Sequence, residues 1–210
     1  MSRRRNRSHW RTHQQDDRYF RQAKEAGYRA RSAYKLLQID ERFRILRRGD
    51  AVVDLGAAPG SWSQVVAGIV GKRGKVIAVD LQPIAPIPGV TILQGDMTSP
   101  EVRRRIAEAL GGPADVVLSD AAPFTTGIKL RDHVLSMELG YAALETAKAL
   151  LHPGGHLVIK VFQGEDLADL IRAVKMAFHP VKLFTPQATR NESWETFIVA
   201  RGFKGKGEER

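Results

Sequence analysis

The chain has 210 residues, 43% of them hydrophobic, enough to bury one domain-sized core without staples. It contains no cysteine, which excludes a disulfide framework, a thiolate metal site, an iron–sulfur cluster and a cysteine nucleophile, and points to a reducing, cytoplasmic setting. The formal net charge of +10 is uneven: residues 1–35 carry 11 Lys and Arg against 3 acids, and the remainder is close to neutral.

Taken in chain order, residues 1–18 are polar and Arg-rich, with the composition of a segment that stays disordered until bound. Residues 19–48 read as helical, with an apolar stripe of Ala30, Ala33, Tyr34 and Leu37. Residues 1–50 are therefore expected to be a basic N-terminal arm and helix, in which cations interleave with Trp10, Tyr19, Phe20 and Tyr28 in a pattern suited to phosphate contact and stacking on RNA.

From residue 51 to 202 short apolar runs alternate with helical patterns, the expected catalytic domain. Strands are predicted at 51–55, 75–80, 90–94, 115–119, 156–162, 181–185 and 195–201, with helices at 61–71, 99–111, 133–151 and 165–178. Continuous rather than alternating apolar runs predict strands buried on both faces, hence an α/β, Rossmann-like fold with a mostly parallel seven-stranded sheet. The last two strands lie too close for a crossover helix, so the final strand is expected to be antiparallel. Residues 203–210 read as a flexible tail. No apolar run approaches the ~18 residues of a membrane span.

The first strand runs into Asp54-Leu55-Gly56-Ala57-Ala58-Pro59-Gly60-Ser61-Trp62, a glycine turn that lets backbone approach a ligand. A dinucleotide site asks for G-x-G-x-x-G, but Ala58 replaces the central glycine and Pro59 removes a donor, which disfavours a pyrophosphate and a nicotinamide enzyme. A cofactor without phosphates, S-adenosylmethionine, suits the turn better. Asp80 closes the second strand, where ribose hydroxyls call for a carboxylate, and Asp96 closes the third, where an adenine amine could be met. Asp54, Asp80 and Asp96 thus converge on one crevice.

The fourth strand ends in Leu118-Ser119-Asp120-Ala121-Ala122-Pro123, which is not the Asn/Asp-Pro-Pro-aromatic stretch of enzymes that methylate base amines. Without a cysteine, a covalent adduct at a pyrimidine C5 is also excluded, and a hydroxyl acceptor remains. Lys160 interrupts the fifth strand between apolar neighbours, where an isolated ammonium is strongly disfavoured. Asp120 and Glu195 are the carboxylates expected on either side of it.

These motifs, RSAYKL, VVDLGAAPGSWSQV, LQGD, LSDAAP, HLVIKVFQGE and ETFIVA, resemble in order the FtsJ-like ribose 2′-O-methyltransferase family from about residue 20 onward. The resemblance implies a Lys-Asp-Lys-Glu tetrad at Lys35, Asp120, Lys160 and Glu195. It also implies S-adenosylmethionine contacts at Gly60, Trp62, Asp80, Asp96 and Asp120, with ribosomal RNA in the large subunit as partner; Asp54 and Gly56 of the glycine turn are expected at the cofactor as well. Ser61 departs from the family, where Gly is frequent, as do Ala121 and Phe124, where Met and Asn are frequent. As a neutral amine Lys160 would remove the hydroxyl proton; as a cation it would steer the hydroxyl, and both roles stay open. A transfer RNA target and a non-catalytic assembly factor are the rival readings. The pairs His9/His13 and His152/His156 lack a rigid frame and carboxylates, so no metal is expected, and the protein is expected to act as a monomer.

Overall fold

The computed structural model describes residues 18–123, 127–190 and 193–205. Residues 18–25 are helical (α1) and a turn at residues 26–27 separates them from α2 (Ala33–Phe43), so the single helix predicted over 19–48 is divided. Gly27, in the left-handed region at φ 75°, makes that break.

Seven strands follow, β1 (Ala51–Leu55), β2 (Lys75–Asp80), β3 (Val90–Gln94), β4 (Ala114–Ser119), β5 (Leu151–Phe162), β6 (Val181–Phe184) and β7 (Glu195–Ala200). Between them lie α3 (Ser61–Val70), α4 (Pro100–Leu110), α5 (Lys129–Leu150) and α6 (Leu167–Ala177). The sheet order is β3-β2-β1-β4-β5-β7-β6, parallel except that β7 runs antiparallel to both neighbours. Strand β5 begins at Leu151, five residues earlier than expected, because Leu151 pairs with Ala114 before a register shift resumes at Val116 and His156.

Each face of the sheet carries its own core. On one, Val102 and Ile106 of α4, Ala143 and Leu144 of α5, and Leu170 and Val174 of α6 pack on Val53, Leu55, Ile77, Val117, Ile159 and Ile198. On the other, Leu36 and Ile39 of α2 and Trp62, Val65 and Val66 of α3 pack on Val52, Val116, Val158, Phe197 and Val199. The alternation of Val52 and Val53 between these cores is the strand period of two expressed in a doubly covered sheet. Edge strands β3 and β6 are more exposed than the central ones.

Two expected boundaries shift accordingly. Residues 28–46 are not an appended arm: Ala33, Leu36, Ile39, Ile45 and Leu46 are buried in the second core. The Ser32 and Ser61 hydroxyls meet at 2.7 Å, which gives the serine found in place of a frequent glycine a role in joining α2 to α3. At the other end Phe203 is buried against Phe178, bridges it and exchanges backbone hydrogen bonds with Gly154 and Gly155, so the fold extends past the point where a flexible tail was expected. The segment 1–17, Phe124 and residues 206–210 lie outside the described residues.

Candidate active site

The strand order reverses at β1 and β4, and a crevice opens at the carboxyl ends of the strands, where open α/β sheets bind ligands. It is a cavity of about 460 Å³, inside the ~300–1,000 Å³ of small-molecule sites. Gly56, Asp80, Asp96, Asp120 and Lys160 line it. Gly56 has φ 69°, and a Cβ there would lie 2.5 Å from Cα and Cβ of Ala121, so only glycine lets the β1 and β4 turns close on each other.

The Asp80 carboxylate is held rigidly: Oδ2 accepts from the Ala58 N–H at 2.9 Å and Oδ1 from the Gln82 N–H at 2.8 Å. Its remaining lone pairs are available to hydroxyl donors. Asp96 is exposed, with Oδ1 accepting from the Thr98 backbone and hydroxyl. The turn itself has few donors to offer. Gly56 and Ala57 donate to Val79 O, Ala58 to Asp80, Gly60 to Ala57 O, and Pro59 has none. A pyrophosphate, which needs such amides, finds them spent.

Three residues expected at the cofactor do not line the cavity. Asp54 is fully buried beneath it; Oδ2 accepts from the Ser63 hydroxyl at 2.6 Å, and Oδ1 has no hydrogen-bond partner. Burial, assisted by the charges of Asp120 and Asp80, pushes its pKa up to about 7. Gly60, at φ 106°, starts α3, and a Cβ there would meet Ile87 Cδ1 at 2.5 Å. Trp62 is 2% exposed, stacks on Phe197 with centroids 5.8 Å apart and donates from Nε1 to Ser32 O. Conversely Leu81, Gln82, Pro83, Met97 and Leu139 line the cavity without having been singled out. Met97 next to Asp96 and Gln82 close after Asp80 carried a positional signal; Leu139, on α5, carried none.

The four polar residues expected to act together do meet at this edge. Because β7 is antiparallel, its first residue, Glu195, lies opposite Phe162 at the end of β5, and Lys160 lies opposite Phe197. The pairing differs from expectation: Lys160, 8% exposed, does not sit between two carboxylates. Its Nζ donates to Asp120 O at 2.5 Å and lies 3.0 Å from Asp120 Oδ1, whereas Glu195 is paired with Lys35 of α2. Lys35 Nζ lies 6.0 Å from the centroid of Phe197, the residue opposite Lys160. Two desolvated cation–carboxylate pairs thus flank one aromatic ring, each neutralising what would otherwise be a costly buried charge.

Two arginines of the basic segment before β1 are engaged within the protein. Arg29 donates to Pro59 O, Ala85 O and Pro86 O at 2.8–2.9 Å, and Arg31 to Ala188 O. Tyr19 and Tyr28 pack on Tyr34. Among the described residues no group of three His, Asp or Glu is placed to hold a metal ion, and no helix is long and apolar enough to cross a membrane.

Comparison with known proteins matches this arrangement over most of its length. The FtsJ-like methyltransferase family model covers residues 28–203. A protein of Methanothrix thermoacetophila named ribosomal RNA large subunit methyltransferase E is 52% identical over 89% of this chain and 72% of its own length. One of the same name from Pseudomonas aeruginosa is 44% identical over 98% of this chain and all of its own. A crystal structure of a Plasmodium falciparum protein described as a ribosomal RNA methyltransferase superposes with a TM-score of 0.77 at 29% identity, over 85% of this chain and all of that one. With the family model spanning most of the chain and relatives 44–52% identical along nearly all of it, the chain is a member of the FtsJ-like methyltransferase family.

Proposed function

We propose that this protein transfers the methyl group of S-adenosylmethionine to a ribose 2′-hydroxyl of large-subunit ribosomal RNA. The observation that carries the reading is the Lys160–Asp120 pair standing in the wall of the cavity, with the Lys35–Glu195 pair beside it at the same sheet edge. The residues present fit the cofactor: Gly56, Asp80, Asp96 and Asp120 line the cavity, Asp80 keeps lone pairs for hydroxyl donors, and the amides of Gly56, Ala57, Ala58 and Gly60 are already bonded within the fold, which suits a ligand without phosphates. Asp80 would receive ribose hydroxyls, Asp96 an adenine amine, and Asp120 the end nearest the chemistry. When bound, the cofactor supplies an electrophilic sulfonium methyl.

The protein's own work is alignment and proton management. Holding the hydroxyl in line contributes several kcal/mol of the barrier. Lys160 Nζ, held at rest in its ion pair with Asp120, is the group we place at the 2′-hydroxyl; once it has given its own proton to solvent, its amine receives that of the hydroxyl. Lys35, locked to Glu195, presents a fixed positive charge that favours developing oxyanion character. The relatives named for ribosomal RNA support the choice of substrate. Ribose methylation mapped across total RNA, with and without this protein, tests it: loss of one 2′-O-methyl site in large-subunit RNA is expected, and loss confined to transfer RNA overturns the ribosomal assignment.

A further inference from the structure

A second cavity of about 460 Å³ borders the same edge of the sheet. It shares Lys35 and Glu195 with the first site's pairs, whereas the first cavity takes Asp120 and Lys160. The four polar residues therefore stand between two hollows. One hollow has the acidic, amide-poor lining described above. The other is lined by Arg31, Arg190 and Lys35, by the hydroxyls of Ser32 and Ser193, and by Trp194 and Phe162.

The aromatic pair decides what this second cavity can take. Phe162 and Trp194 stack with centroids 4.8 Å apart and planes inclined by 21°. Phe162 is buried at the end of β5 and Trp194 is half-buried, immediately before β7, so the indole is a flat apolar surface backed from behind. The Gln163 N–H donates to Trp194 O at 3.0 Å and fixes the segment carrying the indole to the end of β5. Arg31 is likewise fixed through its bond to Ala188 O. An indole that shares a cavity with two guanidinium groups, an ammonium and two serines is the chemistry of a nucleotide site: the base stacks on the ring and the phosphates meet the cations, whereas an apolar partner would bring them no charge.

We propose that this cavity is the acceptor-nucleotide subsite, in which Trp194, supported by Phe162, stacks on the base of the target nucleotide and Arg31 and Arg190 receive its flanking phosphates. The inference rests on the reading of the chain as an RNA ribose methyltransferase and adds how the acceptor is held. Stacking places the attached ribose next to Lys35 and Glu195, toward Lys160 and the first cavity. The platform reads a π-face rather than base edges, so it supplies hold and orientation and leaves the choice of base to other contacts.

The test uses the full chain with large ribosomal subunits isolated from cells lacking it, comparing wild type, Trp194→Ala, Trp194→Leu and Trp194→Phe. Trp194→Ala should raise KM for the subunits roughly 10- to 100-fold, with the cofactor dissociation constant, read by calorimetry, unchanged. Trp194→Phe, which keeps a π-face, should recover most of the loss. Trp194→Leu, which keeps apolar bulk without one, should not, and it stands in if the alanine variant fails to fold. An unchanged KM in Trp194→Ala or Trp194→Leu, or a loss shared equally with cofactor affinity, overturns the subsite. A wild type that leaves the subunits unmethylated strikes the ribosomal reading itself, whereas an active wild type with unaffected Trp194 variants strikes the subsite alone.

Discussion

Lys160 is tolerable in the middle of an apolar strand because two oxygens of Asp120 answer its ammonium and the strand ends in a cavity rather than in the core. If it receives the hydroxyl proton, Lys160→Ala and Lys160→Arg should each lower kcat by about 10²- to 10⁴-fold with cofactor affinity little changed. Undiminished turnover in either variant, measured across pH, removes it from the chemistry. Asp54 makes the opposite case, a carboxyl that the fold prefers uncharged. Its pKa of about 7 lies above the ordinary carboxylate value, so the stability it contributes is complete below that ordinary value and is lost as pH rises through about 7. Asp54→Asn, neutral at every pH, should flatten the fall in melting temperature between pH 5 and pH 8; curves that stay parallel to wild type count against this. Both aspartates were visible in the sequence as acids at strand ends. Which of them faces the ligand and which is sealed beneath it was not, because a strand's alternation assigns a face only once the helices covering each face are in place.

Among the elements, α2 joins structure to chemistry most directly. Lys35 reaches Glu195, and its neighbour Leu36 is fully buried against the α3 side of the sheet. Leu36→Ala should cost about 2–5 kcal/mol in chemical denaturation and reduce methyl transfer together with it. Strands β1, β2 and β3 coincide with their sequence expectations, since a continuous apolar run between glycine turns leaves little choice of boundary. The loop after β2 was a different matter. Leu81, Gln82 and Pro83 line the cavity, Ile84 and Ile87 are buried, and Arg29 clasps the carbonyls of Ala85 and Pro86 while also holding Pro59 O. An arginine in a basic segment reads as an RNA contact, and here it is a brace for the loop beside the cofactor cavity. Arg29→Ala, losing charge-assisted bonds of about 1.5–3 kcal/mol each, should weaken cofactor binding about tenfold or more in calorimetry. An effect seen only on RNA binding would reverse the assignment.

For the whole molecule, the uneven charge separates into two parts. Of the surplus cations in residues 1–35, Arg29, Arg31 and Lys35 are bound within the fold, while the first 17 residues hold five arginines and two aspartates. Removing residues 1–17 should weaken RNA binding and make its logarithmic salt dependence shallower by roughly 3 to 5, with cofactor affinity intact. Equal loss of both affinities would show that the segment serves the fold instead. The amino-acid sequence by itself determined the fold class, the antiparallel last strand and the set of polar residues at the strand ends, because apolar runs, glycine turns and strand-terminal acids are local signals. The tertiary structure alone decided the partners: Lys35 with Glu195, Lys160 with Asp120, Arg29 with the loop after β2, and a stacked Phe162–Trp194 pair beside the reacting edge. Except for Trp194, which follows Phe162 by 32 positions, these partners lie 40 to 160 residues apart in the chain. Such contacts follow from strand order and direction, which place the start of β7 beside the end of β5, and no local pattern contains that information.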